Sequence, residues 1–309
     1  MNTPAKLAGY GLVLAAAFAA ALGVGTAVGP VFATTPAAQA HAGTDHAMEG
    51  KSEMTHGPVS TPGMAGMGPA AGAQGLAVAA DGYTLVPTTA VLHTGATTSF
   101  SFRILGPDGT PLTGYTLEHE RELHFIVVRR DLTGYQHLHP TRASDGTWNV
   151  PLRLLGAGAY KAFVDFQPAG AAMPLTLAVD LLAPGDFQPT DLPAPAHAAS
   201  MDGYTITLAG TLTAGRESDL TFRIERDGQP VSDLQPYLGA YGHLVVLRVG
   251  DLAYAHVHPE GTPGDGHTAP GPAVAFHADL VTDGAYRLFL DFQTGGVVHT
   301  AAFTAIAGT

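Results

Sequence analysis

The chain has no cysteine among its 309 residues. Without thiols no disulfide staples a small, loop-rich fold, so ordinary packed cores must hold the protein together. The same absence removes blue-copper and dinuclear-copper electron-transfer centres, iron–sulfur clusters and thiol redox exchange, all of which need a thiolate. Basic residues are also scarce: Lys and Arg total 14 against 26 Asp and Glu, a formal net charge of -12. Nucleic acid and anionic lipid are held through Lys/Arg clusters, and the chain carries none. A cation suits this charge better.

The segments present divide the chain at its composition changes. Lys6 precedes an uncharged, apolar run over residues 7–33, followed by "ATTPAAQA" with an A-x-A-type site ending at Ala40. Residues 1–40 are therefore expected to be a signal peptide or an uncleaved hydrophobic signal-anchor helix, with the remainder outside the cytoplasm. Residues 41–75 are rich in Gly, Ala, Pro, His and Met and poor in aliphatic side chains, the composition of a disordered tether. His41, His46 and His56 with Met48, Met54, Met64 and Met67 offer imidazoles and thioethers, ligands for Cu(II) and Cu(I) respectively. If cleavage follows Ala40, the new amino terminus and the His41 imidazole form one chelate; an incidental low-complexity linker is the alternative.

Beyond residue 75 the chain repeats itself. "DGYTL" at Asp81 returns as "DGYTI" at Asp202, and "GAYKAFVDFQ" at Gly158 returns as "GAYRLFLDFQ" at Gly284. "HFIVVRRDLTGYQHLHP" at His124 corresponds without a gap to "HLVVLRVGDLAYAHVHP" at His243. A repeat of this length is a whole domain. Alternating segments such as "TSFSFRI", punctuated by "PDG" and "RDG", predict short strands, and no helical period of 3.6 emerges. The expected fold is all-β: two tandem immunoglobulin-like β-sandwiches over 76–183 and 201–309, joined by a Pro-rich linker over 184–200.

The repeated histidines carry the candidate chemistry. A two-residue turn at Gly250-Asp251 sets Val245 opposite His256 and His243 opposite His258, so all three imidazoles share one face of a hairpin. The same count unites His124, His137 and His139, whereas a four-residue turn in "RRDLTGY" that shifts the register would part them. Three neutral imidazoles on adjacent strands form a ligand set for Cu(II) or Zn(II). Asp165 and Asp291, in the "DFQ" pieces, are candidate ligands or orienting carboxylates, or simply turn residues. Structural imidazoles capping the sheet edge are the competing account of the histidines. His93, His119, His197, His267, His277 and His299 show no comparable geometry and are expected at the surface or in the core, although His277 and His299 are near enough to join the second set.

The pieces "DLTGYQHLHP" and "FVDFQ", with their second-copy counterparts "GDLAYAHVHP" and "FLDFQ", resemble the motif of secreted or membrane-anchored actinobacterial heavy-metal-binding proteins with YtkA- and FixH-like domains. More distantly they resemble CopC-type copper carriers. The resemblance implies an extracytoplasmic β-sandwich that handles copper, with His124, His137, His139 and their counterparts as the matched positions. This chain lacks the histidine at the sandwich N-terminus of CopC proper, which sets the CopC mechanism aside.

The expectation is thus a copper-binding protein, not an enzyme, that buffers metal at the cell surface or passes it to another metal-handling membrane or secreted protein. A zinc-dependent enzyme with a three-His site is one alternative; it needs a catalytic acid or base that the sequence does not reveal. A cell-surface β-sandwich pair that binds another protein without metal is the other.

Overall fold

A computed structural model describes residues 74–309. The expected export segment, and the tether with His41, His46, His56 and its four methionines, lie outside the described residues. Among the described residues no helix is long and apolar enough to cross a membrane.

The first copy contains β1 (Ala79–Ala80), β2 (Tyr83–Pro87), β3 (Thr98–Leu105), β4 (Tyr115–Thr116), β5 (His124–Arg129), β6 (Gln136–Leu138), β7 (Thr141–Arg142), β8 (Trp148–Leu152), β9 (Gly158–Pro168) and β10 (Leu175–Ala183). The second contains β11 (Ala198–Met201), β12 (Tyr204–Ala209), β13 (Glu217–Arg226), β14 (Gln229–Pro230), β15 (His243–Arg248), β16 (Tyr254–Pro259), β17 (Ala273–Asp279), β18 (Gly284–Thr294) and β19 (Val297–Ala307). In the first copy the sheet β1-β2-β3-β8-β7 faces the sheet β10-β9-β5-β6, and β4 adds to β9. In the second, β16 pairs with β15 at one end and β17 at the other, joining both halves in the order β11-β12-β13-β17-β16-β15-β18-β19. Each copy is an immunoglobulin-like Greek-key sandwich, and the chain is all-β with two tandem domains.

Local sequence explains these elements. In β3 the inward residues Phe100, Phe102 and Ile104 alternate with outward ones, and Leu220, Phe222 and Ile224 do the same in β13. The repeated "DGY" is a hairpin signal: Asp81-Gly82 and Asp202-Gly203 both have positive φ, as a type I′ turn requires, and join β1 to β2 and β11 to β12.

Strands β5 and β15 break the alternation, because the apolar runs "FIVV" and "LVVL" are buried on both faces. Phe125 and Val127 belong to the core of the first sandwich, and Leu244 and Val246 to that of the second. Ile126, Val128, Val245 and Leu247 point the other way, into a third core with Leu132, Phe163, Leu252, Tyr254 and Phe289. The two sandwiches are thus docked face to face through β5, β9, β15 and β18, within one compact unit. Each buried Val, Leu, Ile or Phe contributes about 1.5–3 kcal/mol, so this third core is a permanent interface.

Segments expected to be linkers take part in the fold. Gln74 bridges to Tyr254, and Gly75 N–H donates to the Thr176 carbonyl. The inter-domain linker is pinned to the first domain: Thr190 N–H donates to Asp131, Phe187 lies beneath the Arg129 guanidinium, and Leu192 joins the third core.

Candidate metal centre

The repeated histidines converge, but across the two domains instead of once in each. His124, His137 and His243 each present a ring nitrogen within 4.8 Å of the others. His124 and His243 begin the equivalent strands β5 and β15, on the faces that meet at the third core; their ring centroids are 5.3 Å apart. His137 comes from β6, where it pairs with Ile126 and reaches over to His243, ring centroids 4.6 Å apart. His139 borders the group, 5.2 Å from His124 and 4.9 Å from His137 between ring centroids.

Two sequence-based expectations are corrected here. Residues 249–252 form a four-residue turn in place of a two-residue one, with Leu252 at φ 65°, yet the register is the one the shorter turn would set: Val246 pairs with Ala255 and Leu247 with Tyr254. The longer turn of the first copy likewise keeps Phe125 opposite Leu138. The second correction concerns His256 and His258, which do not join His243. After Ala255, β16 leaves β15 for β17, where His256 pairs with Asp279 and His258 with His277. That change of sheet removes one hairpin's histidines and leaves, among the described residues, a single three-imidazole group from a duplicated sequence. His277 accompanies His258; His299 stacks on Phe292 and Tyr204.

The hydrogen bonds fix the tautomers of the group. His124 Nε2–H donates to the Glu118 carbonyl at 3.0 Å, which leaves Nδ1 with a lone pair. His137 Nε2 lies 3.1 Å from that Nδ1 and donates to it. His137 Nδ1 is 3.0 Å from Asp291 Oδ2, a contact between the two domains. Asp291 is buried and also accepts from the Tyr135 and Thr300 hydroxyls. Burial first, then the negative charge of Asp291, holds the Tyr135 phenol well above its ordinary range, so it stays a donor. The network therefore carries one proton between His137 and Asp291 beyond those that neutral imidazoles need.

His243 Nδ1 and His139 Nε2 are buried with no partner. Leaving such a nitrogen unpaired costs about 1–3 kcal/mol. Burial, followed by the neighbouring imidazoles, pushes His124 down to about 3 and His243 well below its ordinary value. His139 is also held at about 3, by burial and then His137. These rings are thus neutral, the state in which imidazole binds a metal.

Asp165 and Asp291 occupy equivalent places, paired in register with His124 and His243. Asp291 orients His137, whereas Asp165 accepts from the Thr176 hydroxyl at 2.8 Å and is pushed up to about 6, chiefly by burial. Sequence reasoning missed His119. It sits with Glu120 in a tight turn at φ 48° and 64°, unfavourable for side chains of this size, its ring centroid 5.5 Å from that of His243. The second copy turns at the same place with Leu238-Gly239, so comparing the repeats would have marked His119 as particular to the first.

Fold and site together define a tandem immunoglobulin-like β-sandwich protein with a buried imidazole cluster at its domain interface. Residues 77–181 and 199–308 each match the family described as "Domain of unknown function (DUF8832)", and the chain belongs to that family. The finer likeness to YtkA-, FixH- and CopC-type domains rests on the quoted motif residues alone. No curated protein matches the chain. Among solved structures it is similar to the Escherichia coli adhesin FdeC, with 14% identity over 75% of this chain and 66% of that one, TM-score 0.24. It is also similar to domains 4–9 of the surface layer protein SbsC, with 11% identity over 73% and 31%, TM-score 0.20. MtrC from Shewanella baltica shares 8% identity over 74% and 70%, TM-score 0.24. The chain thus spans less than two thirds of the first two, and at these scores the likenesses carry no functional argument.

Proposed function

We propose that this protein binds a transition-metal cation, copper or zinc, outside the cytoplasm, and holds it between its two domains for buffering or for passage to another metal-handling protein. One observation carries the reading: three imidazoles from both repeats converge, with a buried, unpartnered Nδ1 on His243. The natural donors are His124 Nδ1, His137 Nε2 and His243 Nδ1. The Glu118 carbonyl and Asp291 already orient the first two from behind, as outer partners do at histidine metal sites. Binding would displace the proton that His137 Nε2 donates to His124, so affinity rises with pH. Imidazoles suit both Cu(II) and Zn(II), and a given nitrogen site binds Cu(II) the more tightly.

The burial of His124, 2% exposed, fits a holding site better than the open coordination position of a zinc hydrolase. The competing account, a cell-surface pair of β-sandwiches that binds another protein, treats the histidines as structural. A competitive titration of Cu(I), Cu(II) and Zn(II) into the full chain separates the two. Tight binding that falls in His137→Ala and His243→Ala supports the metal site; binding unchanged by both substitutions, or none at all, favours the interaction protein.

A further inference from the structure

The sheet change of β16 that withdraws His256 and His258 from the buried group delivers them to another. Strands β13, β17 and β16 are neighbours, and residues in register across them share a face. Glu217, Asp279 and His256 form one row across the three strands; Asp219, His277 and His258 form the next. The alternate residues Ser218, Leu220, Val257 and Ala278 point inward, so both rows lie on the outer face, with His258 and the three carboxylates exposed. His277 Nδ1 lies 2.8 Å from Asp219 Oδ1 and 3.8 Å from Glu217 Oε1. Glu217, Asp219 and His277 present ligand atoms within 4.8 Å of one another, and the rings of His256 and His258 are 4.2 Å apart between centroids.

We propose that this face is a second divalent-cation site, open to solvent and separate from the buried triad. The outer site does not depend on the metal reading of the triad. Its carboxylates give the face a negative field that attracts a cation, and its imidazoles add nitrogen donors.

Cu(II) binding to the full chain tests the proposal, with residues 41–67 unchanged in every arm so that their contribution cancels. In His243→Ala, which disables the triad, nitrogen-coordinated Cu(II) seen by electron paramagnetic resonance should persist on the sandwiches and be lost on adding His256→Ala and His258→Ala. An identical copper signal with and without His256 and His258 overturns the outer site. Copper on the outer face with none at the triad upholds the outer site and refutes the metal reading of the triad instead.

Discussion

Replacing His243 with alanine tests whether the buried cluster is a metal site or a structural element, because the two accounts predict opposite patterns of stability. A structural histidine should cost stability whether or not metal is present. In the metal-free protein, however, His243 Nδ1 is buried without a partner. Its removal relieves about 1–3 kcal/mol of unmet hydrogen bonding, which offsets the packing lost with the ring. The net change should stay within about 2 kcal/mol. With metal at a hundred times its dissociation constant, the wild-type chain gains about 2.7 kcal/mol. For a protein of this size that raises the melting temperature by about 4–6 °C. Thermal melts of both proteins, followed by circular dichroism with and without Cu(II) or Zn(II), read the difference directly. The wild type should gain the shift and His243→Ala should lose most of it. A wild-type melting temperature that metal leaves unmoved, or a mutant that gains the full shift, refutes the argument.

Acid should destabilise the metal-free fold earlier than carboxylate titration would. His124 and His139 are held at about 3 against an ordinary 6.5, so the unfolded chain takes up protons first as pH falls below 6.5, and stability drops by up to about 1.4 kcal/mol per pH unit for each such ring until about pH 3. Urea melts at pH 7, 6 and 5 should show that slope; stability flat across this range counts against neutral buried rings. At the domain interface, Phe289 is buried and stacks on Tyr135 with ring centroids 4.1 Å apart. Phe289→Ala should cost about 3–5 kcal/mol and weaken metal binding by loosening the Tyr135–Asp291–His137 chain. A loss below about 1 kcal/mol would mean that the sandwiches are not docked through this face.

Much of the fold was legible in the repeats. The alternation in "TSFSFRI" and "SDLTFRI" and the Asp-Gly turns specify strands locally, through side-chain period and backbone conformation. The register of the second hairpin followed from the turn count at Gly250-Asp251, whereas the runs "FIVV" and "LVVL", apolar on both faces, do not fix register by alternation and left that of the first hairpin open. The doubly apolar runs "FIVV" and "LVVL" also held a signal: a strand buried on both faces needs a second layer outside its own sandwich. Reading that signal would have pointed to the docked domains.

The sequence by itself determined that each copy is a β-sandwich with a histidine-bearing hairpin, because strand period and turn chemistry act over a few residues. Tertiary structure decided which histidines meet. Whether a strand stays with its hairpin partner, as β6 does, or crosses to the opposite sheet, as β16 does, depends on how two sheets close over a core. Whether Asp291 reaches His137 depends on how the two sandwiches dock. Both are long-range packing outcomes, and they turn two expected sites of three histidines into one buried triad and one exposed face.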